Sequence, residues 1–138
     1  MILVTLINGF IFKRRSSVIV SKQPELRDGY DRLLKGYLIY FNIPSVIIAI
    51  GTLIGGVPSI ISYFRPRDGN PFVIAFHIAV VIMWLLSIWW VYFKGGAEFL
   101  VKYKGFFNRD FQSPTNVKIF FGLTLLGGLL GMILMWSW

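Results

Sequence analysis

The chain has 138 residues, 56% of them hydrophobic, no cysteine and a formal charge of +8. That length fits one domain, and the apolar share exceeds the roughly 45–50% of ordinary soluble domains. The missing cysteine excludes disulfides, thiolate metal sites and lipidated cysteines, and the positive charge, placed beside apolar runs and without a recognisable module, does not point to nucleic acid.

Three stretches, Tyr37 to Phe64, Phe72 to Phe93 and Ile119 to Trp138, contain no Lys, Arg, Asp or Glu. A helix on a soluble core shows a polar face on every turn, whereas a helix crossing about 30 Å of hydrocarbon needs about 20 predominantly apolar residues. The expected fold is therefore an all-α membrane protein with three transmembrane helices, over about 37–62, 71–93 and 115–137. Residues 1–36 form an interfacial and amphipathic segment ahead of the 37–138 transmembrane domain.

Met1 to Phe12 has no basic residues ahead of its apolar stretch, so it is not expected to act as a secretory signal. For Met1 to Val20 the leading expectation is an interfacial helix, with apolar side chains at the acyl boundary and Lys13, Arg14 and Arg15 at the headgroups. Asn8-Gly9 also carries a hairpin signal, and a short re-entrant segment is a third option. Pro24 and Glu25 suit the start of a helix. Leu26, Tyr30, Leu33, Leu34 and Tyr37 then recur at helical spacing, predicting an amphipathic helix on the membrane surface that feeds the first span near Gly36. Asp28–Arg32 and Asp31–Lys35 are spaced to pair on its wet face.

The first run is longer than one crossing needs, so the helix tilts, kinks near Asn42-Ile43-Pro44, or ends around Pro58. Gly51 and Gly55 form a GxxxG, where a neighbouring backbone can approach closely. The breaker-rich turn from Arg65 to Asn70 leads into a helix with Asn70 as cap and Pro71 first, which Lys94-Gly95-Gly96 ends. The second loop is expected to hold a short interfacial helix over Ala97 to Lys104, with Lys102 and Lys104 at the membrane surface. Ser113 caps the third helix, Pro114 starts it and Lys118 snorkels towards the headgroups. That helix carries Gly122, Gly127, Gly128 and Gly131, with Gly127 and Gly131 as a second GxxxG and Thr124 with Gly128 as a small-residue pair.

Seven Lys or Arg precede the first span, two lie in the first loop (Arg65, Arg67) and five in the second (Lys94, Lys102, Lys104, Arg109, Lys118). With three spans, the N-terminal segment and the second loop share a side, so the positive-inside rule makes that side cytoplasmic, with the C-terminus opposite and a cell (inner) membrane as the expected location. Trp89, Trp90, Tyr92 and Phe93 fit an inner aromatic belt, and Trp136 and Trp138 an outer one.

His77 is the single histidine and, tyrosines apart, the sole ionisable side chain within the spans, which makes it the first polar candidate, with Asn42, Thr52 and Thr124 beside it. Packing or interhelical hydrogen bonding is the plainest role for it. Proton handling is a sharper one, and haem ligation needs a second histidine from another copy or a methionine such as Met83, Met132 or Met135. Glu98 is placed to pair with Lys94 or Lys102. With one His, no Cys and all carboxylates in membrane-flanking segments (Glu25, Asp28 and Asp31 among them), no catalytic site, cofactor or metal is expected. The expected role is a non-catalytic accessory, assembly or scaffold subunit that associates through its helices with a protein partner or with itself in the lipid bilayer. The alternative is a small oligomeric channel or transporter.

Overall fold

The computed structural model describes residues 2–105 and 110–137, so Arg109 and Trp138 lie outside the described residues. Within them the chain is helical, without strands, and it holds three helices long and apolar enough to cross a membrane. The helices are α1 (Ile2–Lys22), α2 (Arg27–Leu53), α3 (Pro71–Ile88), α4 (Gly96–Lys102) and α5 (Pro114–Ser137). A 3-10 turn, Pro24–Leu26, leads into α2. Two more, Ile60–Phe64 and Pro66–Asp68, make the link to α3, and a π-helical turn, Trp89–Phe93, extends α3.

Residues Ile2 to Lys22 form one continuous helix, which rules out a hairpin at Asn8-Gly9. Its buried residues are Thr5, Gly9, Phe12 and Ser16, a narrow stripe of mostly small side chains at helical spacing. A Cβ on Gly9 would come within 2.9 Å of Leu38 Cδ2 and 3.5 Å of Leu34 Cδ1, while the ring of Phe12 lies 5.9 Å from that of Tyr30. As α1 runs back towards its start, its partners therefore move forward along α2, so the two helices pair antiparallel.

The amphipathic stretch does not make a separate helix. Helix α2 passes through Gly36 and Pro44 without a break and stops at Leu53. Its early apolar stripe docks on protein: Leu26, Tyr30 and Leu33 join Phe12, Val91, Ala97, Leu100, Tyr103, Phe111 and Val117 in the larger buried cluster. This basic-end core draws on α1, α2, the π turn that extends α3, α4 and α5, with Phe111 from the lead into α5. Tyr30 donates from its hydroxyl to the Lys104 carbonyl at 3.2 Å, and its ring stands edge-on to Tyr103, 5.2 Å away. Gly29 is required there, because any Cβ would strike the Tyr103 ring.

Helix ends follow local chemistry. The Phe72 N–H donates to Asn70 Oδ1 at 2.9 Å, and the Asn116 N–H donates to Ser113 Oγ at 3.2 Å. Gly95 takes φ 73°, the left-handed conformation that lets the chain turn from α3 into α4. The expected ion pairs form differently. Among the described residues, Asp28–Arg32 and Asp31–Lys35 do not close, and Glu98 meets Lys118 at 3.9 Å instead of Lys94 or Lys102. Docking of α4 on α5 brings that carboxylate to the next helix.

Candidate functional site

The small-residue positions separate into two groups. Gly51 and Gly55 are filled from within the chain: a Cβ on Gly51 would strike the Tyr63 hydroxyl and one on Gly55 the Phe72 ring. Tyr63 and Phe72 sit there because the link after α2 folds back, and the Tyr63 hydroxyl donates towards the Ile48 carbonyl at 3.2 Å and the Ile47 carbonyl at 3.4 Å. Val57, Tyr63 and Val73 form the small buried cluster around this contact. Asn70 Nδ2 also donates to the Gly55 carbonyl at 3.2 Å, fastening the start of α3 to the end of α2.

On α5 the glycines divide again. Gly128 receives Trp84, whose Cζ2 would lie 2.7 Å from an added Cβ, and Gly122 receives the Tyr92 hydroxyl at 3.1 Å. Tyr92 also donates to the Lys118 carbonyl at 2.7 Å. Large aromatic side chains of α3 and its π extension therefore space α5 away from α3. Gly127 and Gly131 meet nothing within 4 Å. Around them Leu123, Leu126, Leu130 and Leu134 are all more than half exposed, and Val117 is the one buried residue described on α5. This second GxxxG is an open apolar face.

His77 is 3% exposed. Its Nδ1 lies 2.9 Å from the Val73 carbonyl on its own helix, and its ring faces Phe76 and Trp136 edge-on, 5.4 and 5.8 Å away. Nε2 is buried with no hydrogen-bond partner. A carbonyl only accepts, so Nδ1 carries a proton, and in the neutral ring Nε2 is then an acceptor facing aromatic rings. Asn42 Nδ2 donates to Leu38 and Thr124 Oγ1 to Phe120, each to the carbonyl four residues back, while Thr52 is exposed near the end of α2. Each hydrogen bond of His77, Asn42 and Thr124 thus returns to its own helix, and none joins these residues to one another. The Asn42 Oδ1 and Ser45 Oγ are also buried without partners.

A polar crossing that the sequence did not single out joins α2 to α3. The Tyr40 hydroxyl donates to the Met83 carbonyl and lies 2.6 Å from Ser87 Oγ, which itself donates to the Met83 carbonyl at 2.8 Å. The π turn begins two residues later. Tyrosine within an apolar run is a signal for such a bond, because its hydroxyl must find a partner when buried.

The basic residues Lys13, Arg14, Arg15, Lys102 and Lys104 are exposed at the end of the molecule that holds the larger core. Lys102 lies over the Tyr103 ring and Lys94 over Trp89, with 5.7 and 5.1 Å to the ring centroids. Among the described residues there is no group of three or more His, Asp or Glu that could hold a metal ion. No family model, no curated protein and no solved structure matches the chain.

Proposed function

We propose that this chain is a non-catalytic membrane subunit that works by lateral association, presenting the Gly127–Gly131 face of α5 to a transmembrane helix of another chain. The observation carrying this reading is the contrast between the two GxxxG pairs: one is closed by Tyr63 and Phe72, and the other is bare. Helices in lipid associate through close van der Waals packing, and small residues permit it. Its basic end faces the cytoplasm of a cell (inner) membrane and the end of α5 lies opposite, supported by twelve Lys or Arg against two.

The test is purification of the tagged chain from its native membrane in gentle detergent, with native mass and co-purifying proteins read by mass spectrometry. A stoichiometric partner or a homo-oligomer, lost in Gly127→Leu and Gly131→Leu variants that still fold, is the expected result. A wild-type monomer without a partner overturns the reading. A second reading, an oligomeric channel or transporter, draws on the unpartnered Nε2 of His77 and Oδ1 of Asn42. Flux through proteoliposomes that disappears in His77→Ala supports it, and wild-type vesicles no leakier than empty ones remove it.

A further inference from the structure

We propose that α1 is a half-inserted helix that stands in the inner leaflet beside α2 and holds an anionic phospholipid between Arg14, Arg15 and its apolar shoulder. The inference goes beyond the α5 interface and uses a different surface, though it shares the premise that the chain spans a bilayer.

The first observation is depth. Helix α1 pairs antiparallel with α2, with Phe12 at Tyr30 and Gly9 at Leu34 and Leu38. Ile2 lies about 10 Å beyond Gly9 at 1.5 Å per residue, which brings it level with the turn around Asn42. Tyr40, just before that turn, bonds Met83 and Ser87. Met83 falls one residue past the middle of the charge-free helical run Pro71–Phe93, and Ser87 lies one turn further towards its basic end. If α3 crosses the bilayer, Ile2 is therefore near its midplane. A helix lying flat on the surface would not keep this register.

The second observation is the surface α1 leaves open. Leu3, Leu6, Ile7 and Phe10 are at least half exposed, while the face towards α2 carries the small residues Thr5, Gly9 and Ser16. Its apolar part ends abruptly at Lys13, Arg14 and Arg15, about 18 Å from Ile2 on the same rise and so near one leaflet's depth of roughly 15 Å. There Phe10, Ile11, Arg14, Arg15 and Val18 line a shallow groove of about 390 Å³. Arginine side chains lining an apolar groove suit a lipid phosphate with its acyl chains running down α1, because Arg binds phosphate oxygens in a bidentate fork. Exposed Glu25 in the turn after α1 and exposed Asp28 at the start of α2 do not line the groove.

The absence of cysteine makes the test direct. Single cysteines placed at Leu3, Phe10 and Val18 of the full chain would carry spin labels in phosphatidylglycerol–phosphatidylcholine vesicles. Graded depth is expected, with Leu3 deepest, Phe10 about 10 Å shallower and Val18 at the headgroups. Equal shallow depths, or a water-exposed label at Leu3, overturn insertion. Retention of phosphatidylglycerol on the detergent-purified chain is then read by native mass spectrometry. Arg14→Gln with Arg15→Gln should lower it about tenfold against phosphatidylcholine, and Lys102→Gln with Lys104→Gln should leave most of it. Unchanged retention in the arginine variant, or equal loss in both, overturns the lipid site.

Discussion

The basic end of the molecule and the outer surface of α5 are built to opposite rules. At the basic end, side chains from α1, α2, the π turn, α4 and α5 close over one another until Val91, Ala97 and Val117 have no exposed surface at all. Along α5 the large apolar side chains remain bare and two glycines meet nothing. Charge-flanked segments can be held together by burial from water. A helix surrounded by lipid gains nothing from hiding leucine, so its partner must be selected by shape. The basic-end core thus holds this chain's own fold together, while nothing in the chain covers the α5 face.

The largest loss of stability is expected where the basic-end core is emptied. Leu100, 2% exposed, changed to Ala should cost about 2–5 kcal/mol by cavity formation, seen as a lower thermal unfolding midpoint in detergent, with partner retention per folded molecule unchanged. Next, Gly51→Leu should cost about 1–3 kcal/mol, because Tyr63 and Phe72 already fill that space. Tyr40→Phe removes the hydroxyl that reaches Met83 and Ser87 and should cost about 0.5–1.5 kcal/mol in the same unfolding measurement. Glu98→Gln breaks an exposed pair with Lys118 and should cost under about 1 kcal/mol. Gly127→Leu should change stability by no more than about 0.5 kcal/mol and yet abolish co-purification. A Gly127 variant that unfolds, or a Leu100 variant that loses its partner while folded, would erase the distinction between the two regions.

Much of the architecture was legible because its signals are local. Charge-free runs mark the three helices long and apolar enough to cross a membrane, and Asn70-Pro71 and Ser113-Pro114 mark two helix starts through hydrogen bonds made within three residues. What escaped depends on which helix stands beside which. Gly51 and Gly127 look equivalent in sequence, and only the fold-back of Tyr63 distinguishes them. Glu98 had two partners within one turn, yet α5 supplied a third. The antiparallel pairing of α1 with α2 left a trace in Thr5, Gly9 and Ser16 on one face, a small-residue spacing that is not a GxxxG. Gly29, in the middle of an amphipathic stripe, was a similar trace of the Tyr103 contact.

The hydrogen bond from Tyr30 to Lys104 joins residues 74 positions apart, and that separation sets an order of events during synthesis. A ribosome adding about 5–20 residues per second needs about 4–15 s to deliver the second residue after the first. Throughout that interval α1 and α2 can pair with each other, but Tyr30 and Leu33 wait without α4. The nascent hairpin therefore emerges with its stickiest surface uncovered. That surface stays open until α4 arrives and its Leu100 joins the cluster.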